Sequence, residues 1–308
     1  MTAHNEETAQ TPDRALPVPD FSPPPHHGPL SQPATAPPTA NTSRRALLVM
    51  AKQPIAGSAK TRLVPPLTSA SAASLYLCFL QDVLATVRAA ARLEPFDPVI
   101  AYTPPAAQDF FRQLAPDFWL IPQQSPARST DRIPPSQPAS ASEPASQSGA
   151  APQQETLVHH PDPLGDRLQF VLSAALDSGR RQVVAINSDS PTLPPELLCT
   201  AFQRLDDPRT DAVFGPCTDG GYYLIGVKKP PGSLVTAVQM STPTVLSDTL
   251  SIAAAAGLHV DLLPEWYDVD SAEDLERLST ELAAHPERAP ASSSFLTEPW
   301  TSTSSSQP

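Results

Sequence analysis

The sequence predicts an α/β protein with a mostly parallel, doubly wound, Rossmann-like sheet and helices on both faces. Three observations carry this. Short continuous apolar runs, such as Ala46–Met50 and Gln182–Ile186, read as strands buried on both sides. They alternate with longer segments whose apolar residues recur every three or four positions, the period of a helix packed on a sheet. The chemically rich residues fall just after strand ends, where open α/β sheets bind ligands.

Proline sets how much of the 308-residue chain can be core. Ten of its 40 prolines fall in the first 43 residues. Residues 122–156 are rich in Pro, Ser, Gln and Ala, and residues 286–308 end in Ser and Thr. Such segments bury too little apolar surface to offset the entropy of ordering them. They read as a disordered arm (1–43), a low-complexity insertion (122–156) and a disordered tail (286–308). What remains, 44–285 without the insertion, has the size of one α/β domain, roughly 200 residues. A net charge of −12 argues against a nucleic-acid binder, which needs a basic face. The N-terminus carries Glu6, Glu7 and Asp13 and has no apolar region of a secretory signal. No apolar run approaches the ~20 residues of a membrane span. Three widely separated cysteines, Cys78, Cys199 and Cys217, form neither a zinc spacing nor a disulfide framework. The expectation is a cytoplasmic protein with reduced thiols, Cys78 and Cys199 being small core residues of helices.

The elements follow in order. Ala46–Met50 is the first strand. Behind it comes a loop with three cations, Lys52, Lys60 and Arg62, and with Gly57. Thr68 or Ser69 caps a helix running to about Arg92, with Leu75, Phe79, Leu80, Val83, Leu84 and Val87 on its apolar face. Pro98–Tyr102 is a strand, Pro104–Leu114 a short helix, and Phe118–Ile121 a third strand. A helix runs from about Leu164 through Asp177, then Gln182–Ile186 is a strand and Pro195–Leu205 a helix. Ala212–Phe214 and Leu224–Val227 flank Asp219-Gly220-Gly221, a hairpin signal. Thr244–Ala256 is a helix, His259–Leu263 a strand and Tyr267–Val269 a short strand. Ser271 caps the last helix, with Glu273 and Asp274 in its acidic first turn.

The strand-end loops collect the chemistry. A strand, a loop with proline and glycine, then cations and a hydroxyl before a helix can cradle an anion; the same string also reads as a solvated basic loop. Asp189 follows the central strand Gln182–Ile186, Asp219 sits in the hairpin turn, and Asp268 and Asp270 flank the late strand. Two such carboxylates with a diphosphate make an oxygen site for Mg²⁺ or Mn²⁺. Each also has a plainer reading. Asp189 before Ser190-Pro191 can cap a turn, Asp219 is an ordinary turn residue, and Asp270 can cap a helix. Their shared position at one sheet edge favours a site.

The motifs Ala51-Lys52-Gln53-Pro54…Gly57…Lys60-Thr61-Arg62-Leu63, Leu164-Gly165-Asp166-Arg167, Ser188-Asp189-Ser190-Pro191, Gly215-Pro216…Asp219-Gly220-Gly221-Tyr222-Tyr223 and Asp268-Val269-Asp270…Asp274-Leu275 occur in that order. The chain resembles a bacterial family of glycosyltransferase-like proteins whose genes lie near radical-SAM and selenium- or arsenosugar-related genes. More distantly it is similar to molybdenum-cofactor and phospholactate guanylyltransferases. The resemblance implies a GT-A, nucleotide-diphospho-sugar transferase fold. It implies a metal-dependent transferase using a nucleotide sugar and a small-molecule acceptor, or else a nucleotidyltransferase using a nucleoside triphosphate. It further implies Lys60 and Arg62, with Lys52 beside them, as phosphate contacts and Gly57 as room for the ligand. Asp189 and Asp270, with Asp268, become metal ligands. Asp189 and Asp219 are the catalytic carboxylates, and Gly220, Gly221 and Tyr222 form the acceptor or sugar side. Asn187 stands where the family usually has glycine, which would crowd a ligand at the strand end.

Overall fold

The structure, a computed structural model, describes residues 44–123 and 163–297. The expected arm (1–43), nearly all of the expected insertion and the last part of the expected tail lie outside the described residues.

Seven strands form one sheet: β1 (Arg45–Lys52), β2 (Asp97–Thr103), β3 (Trp119–Pro122), β4 (Gln182–Ile186), β5 (Ala212–Pro216), β6 (Tyr222–Val227) and β7 (Val260–Leu262). Their order is β3-β2-β1-β4-β6-β5-β7. Only β6 runs against its neighbours β4 and β5; the other pairings are parallel. The sheet is thus mostly parallel, and the Asp-Gly-Gly turn joins an antiparallel pair.

Alternate side chains enter two cores. Leu47, Val49, Val184 and Ile186 point to one face, and Ala46, Leu48, Val183 and Ala185 to the other. Helices cover both faces, so these strands have no need of a polar side. The first core is closed by α1 (Ser69–Leu93), α2 (Gln108–Leu114), α4 (Pro195–Asp206), α7 (Ala272–Ala284) and α8 (Pro290–Thr297). The second is closed by α3 (Pro163–Asp177), α5 (Ser233–Thr236) and α6 (Val245–Ala255). The Thr68 hydroxyl caps α1 by accepting from the Ser71 N–H. This helix is long and apolar enough to cross a membrane, yet 56% of its most apolar window is buried inside the protein, as in a core helix.

Two expectations are corrected. Tyr267–Val269 is not a strand: its ladder partners are replaced by isolated contacts, the Val269 N–H donating to the Asp189 carbonyl at 2.9 Å. The tail does not begin at 286. Residues Pro286–Arg288 form a 3-10 turn and α8 follows. The reason is a partner far away in sequence. Asp82, buried on α1, accepts the Ala291 and Ser292 N–H groups at 2.9 and 2.8 Å and the Ser292 hydroxyl at 2.6 Å. It caps α8 from another helix, and Ala289 and Phe295 bury their side chains beside it. The domain therefore extends at least through Thr297.

Candidate active site

Strand order reverses at β1, with β2 on one side and β4 on the other. The carboxyl ends of β1, β4 and β5 share one edge, and β6, being antiparallel, starts there. A cleft of about 470 Å³ opens at this edge, a volume suited to a small ligand. Arg62, Asp189, Asp219, Tyr222, Asp268 and Asp270 all line it.

Lys60 takes a different position from the one expected of a phosphate contact. Its backbone is left-handed (φ 50°, ψ 42°), which turns its side chain under the loop. The side chain is 4% exposed. Its ammonium lies 2.6 Å from Asp189 Oδ1 and 2.9 Å from Asp270 Oδ1, and donates to the Val269 carbonyl at 2.7 Å. Three acceptors use its three protons. The rings of Tyr76 and Phe79 pack near the ammonium, their centroids 6.0 and 5.5 Å away. Burial alone would lower the Lys60 pKa, but the two carboxylates outweigh it and raise it. Burial likewise pushes Asp270 up, and Lys60 outweighs this to bring it below its usual range. Lys60 is thus an internal clamp on two cleft carboxylates.

A second clamp holds the Asp189 loop. Ser188 donates to the Met50 carbonyl at 2.9 Å, and its hydroxyl meets the Tyr76 hydroxyl at 2.7 Å. Tyr76 in turn accepts from the Lys52 N–H at 3.2 Å. So β1, α1 and the end of β4 are tied together at the cleft floor. The Asn187 side chain accepts from the Asp189 N–H at 3.2 Å and lines the cleft. On the far side, Asp274 and Ser271 form a capping box at the start of α7. Asp274 Oδ2 also accepts the Asp270 N–H at 3.2 Å, which fixes the backbone that carries Asp270.

Among the residues expected to bind phosphate, only Arg62 reaches the cleft. It is 73% exposed, and its guanidinium is 4.0 Å from Asp270. Lys52 is exposed and donates to the Ser58 carbonyl of its own loop at 3.0 Å. Gly57 has φ +75° with open space where a Cβ would stand. Its positive φ alone already calls for glycine. Gly220, expected on the acceptor or sugar side, packs against backbone and is not among the residues that line the cleft. A Cβ there would lie 1.9 Å from the Pro243 carbonyl oxygen, and φ is +88°. This glycine lets the 240–243 segment close onto the turn. Gly221 and Tyr222 do line the cleft, and the Gly221 N–H donates to Asp219 Oδ1 at 2.8 Å.

The cleft carries excess negative charge. Asp189, Asp219, Asp268 and Asp270 are set against Lys60 and Arg62, an excess of two charges when all are ionised. The consequence appears at Asp268. Burial first, then the carboxylates of Asp219, Asp270 and Asp189, push its pKa up to about 7. Oxygen donors with two surplus charges fit one hard divalent cation. Lys60 engages Oδ1 of Asp189 and of Asp270, and the Arg62 guanidinium stands 4.0 Å from Oδ2 of Asp270.

Cys217 is the neighbour that sequence reasoning missed. It opens the turn that carries Asp219, its carbonyl accepting the Gly220 N–H at 3.1 Å. Its place beside the Asp-Gly-Gly turn was the available signal. The Met240–Pro243 wall offers no comparable signal, since it closes the cleft through backbone packing.

The profile of a family described as uncharacterized proteins conserved in bacteria (DUF2064) matches residues 135–242. No curated protein matches the chain. Among solved structures, a Desulfovibrio desulfuricans G20 protein provisionally called a nucleotide-diphospho-sugar transferase is 29% identical, with a TM-score of 0.64. That alignment covers 83% of this chain and 94% of the other. The chain has the GT-A-like fold of nucleotide-diphospho-sugar transferases. Weaker likenesses include a 4-diphosphocytidyl-2C-methyl-D-erythritol synthase from Anaerococcus prevotii DSM 20548, 11% identical (TM-score 0.44, 78% and 96% covered). Another is glucosyl-3-phosphoglycerate synthase from Mycobacterium tuberculosis, solved with Mn²⁺ and UDP, 11% identical (TM-score 0.39, 85% and 88% covered). Only the first is similar enough to bear on function.

Proposed function

We propose that the protein is a divalent-cation-dependent transferase that moves the sugar of a nucleotide sugar to a small-molecule acceptor. One observation carries the proposal: Arg62 and four carboxylates line a single cleft at the strand-order reversal. The 29% identity to the Desulfovibrio protein supports the nucleotide-sugar class.

In this reading Arg62, the exposed cation of the cleft, binds the donor diphosphate with a planar fork suited to phosphate oxygens. Lys60 acts through others: it orients Asp189 and Asp270 and offsets part of their charge. Asp189, Asp270 and Asp268 would hold Mg²⁺ or Mn²⁺, which supplies neutralisation of charge developing on the leaving diphosphate. Asp219, exposed and fixed by the Gly221 N–H, takes the proton of the acceptor hydroxyl. Gly221 and Tyr222 form the acceptor wall.

The test is product analysis. The protein is incubated with Mn²⁺, sugar nucleotides and an acceptor panel, and separately with nucleoside triphosphates and phosphorylated acceptors. Release of nucleoside diphosphate from a sugar nucleotide, lost in Asp189→Asn, is the expected result. Pyrophosphate release from a triphosphate instead would replace glycosyl transfer with nucleotidyl transfer.

A further inference from the structure

A thiol stands among the cleft carboxylates. Cys217 is 4% exposed and is a free cysteine. Among the described residues its Sγ has no hydrogen-bond partner. That Sγ and one carboxylate oxygen each from Asp219 and Asp268 lie within 4.8 Å of one another.

The backbone holds the three in place. The Cys217 N–H donates to the Gly221 carbonyl at 3.0 Å, and the Gly220 N–H to the Cys217 carbonyl at 3.1 Å, which closes the turn that carries Asp219. Cys217 also bridges to Trp266, two residues before Asp268. The Thr218 N–H donates to the Trp266 carbonyl at 3.0 Å. Two chain segments that meet at one isolated bridge thus supply three donors. Meanwhile Lys60 already engages Asp189 and Asp270, on the other side of the same charge cluster.

We propose that Cys217, Asp219 and Asp268 form a three-donor seat for a thiophilic divalent cation of the Zn²⁺ class. A sulfur donor selects Zn²⁺, Co²⁺ or Cd²⁺ over Mg²⁺, which takes hard oxygen ligands. Three protein ligands leave a fourth position for water or a substrate oxygen. On binding, the Cys217 S–H bond breaks as the metal–sulfur bond forms, the proton passes to solvent, and no electron is transferred. The inference deepens the transferase reading by naming a cation seat in the same cleft, and rests on it only for what the ion does; with this seat filled, Asp268 belongs to it and not to the Asp189–Asp270 pair, and Asp219 is a ligand and not the base.

Co²⁺ is the probe. Added to the reduced full-length protein, it should produce a thiolate-to-cobalt charge-transfer absorption in the near ultraviolet that saturates at one equivalent. Zn²⁺ should abolish the band and excess Mg²⁺ should not. The band should vanish in Cys217→Ser and persist in Cys78→Ser and Cys199→Ser. Circular dichroism establishes that the variants fold. Should Cys217→Ser misfold, the exposed Asp219→Asn serves, and its Co²⁺ affinity must fall roughly tenfold or more. No band in the unaltered protein, an equal band in Cys217→Ser, or undiminished affinity in Asp219→Asn overturns the proposal. The readout needs no nucleotide. A missing band with nucleotide binding intact removes the seat and leaves the transferase reading standing; a band without nucleotide binding does the reverse.

Discussion

Replacing Lys60 with methionine removes the charge and keeps most of the stem. Two carboxylates, at 2.6 and 2.9 Å, then lose their shared partner inside the protein. Breaking a buried ion pair by deleting one side typically costs about 3–5 kcal/mol. The Asp189 and Asp270 side chains are 32% and 41% exposed, so water can re-solvate part of their charge. That places the expected loss at the lower end, about 3 kcal/mol. For a domain of this size it corresponds to a fall in melting temperature of roughly 6–12 °C. The assay is thermal and urea unfolding beside Lys52→Met, whose exposed ammonium donates to the Ser58 carbonyl and acts on Asp270 only through space. The control should change by no more than about 0.5 kcal/mol. Adding Asp270→Asn to Lys60→Met should restore part of the loss, since it removes one stranded charge. A Lys60→Met protein that melts within about 2 °C of the original, or no lower than Lys52→Met, would refute the clamp.

Three further outcomes are expected. Gly220→Ala should destabilise more than Gly57→Ala in urea unfolding: both glycines have positive φ, but only at 220 does the added Cβ meet backbone, 1.9 Å from the Pro243 oxygen. The Gly57 change should cost only about 1 kcal/mol. Asp82→Ala should cost about 1–2 kcal/mol by uncapping α8, and limited proteolysis should then cut near Pro290–Thr297 before the rest of the domain. For Asp268, the folded protein keeps a proton between the ordinary 3.8 and about 7 that the unfolded chain has released. Its contribution therefore favours the fold at acid pH and is lost as pH rises toward 7. In chelator-treated protein, Asp268→Asn should gain stability relative to the original at about pH 8 compared with about pH 5; a constant difference would contradict the shift.

What could be read in the sequence was what depends on neighbours. The buried strands announced themselves by unbroken apolar runs. Ser271 and Asp274, three residues apart, made a legible capping box. The Asp-Gly-Gly turn was legible because turn chemistry is local. The parts that were missed depend on contacts across the chain. Lys60 read as a phosphate contact beside Arg62, and Asp189, Val269 and Asp270, all more than a hundred positions on, make it a buried clamp. The segment that forms α8 read as a disordered tail, because its ordering depends on hydrogen bonds to Asp82, some two hundred positions earlier. Tyr267–Val269 had the composition of a strand, but its polar groups are satisfied by the Asp189 loop and by Lys60. At the site, the shared edge of the four carboxylates was legible and the partition of the cations was not: charge type is visible in sequence, and burial is not.

On the function proposed above, this cleft binds an activated nucleotide with the help of a divalent cation. Thermal-shift measurement against a panel of nucleotides and sugar nucleotides, with Mn²⁺ and with chelator, tests it most directly, because a ligand that binds only the folded protein raises its melting temperature. The expected result is a rise for at least one sugar nucleotide that needs Mn²⁺ and is lost in both Asp189→Asn and Arg62→Ala. No rise with any nucleotide, or a rise indifferent to the metal and to both substitutions, would contradict it.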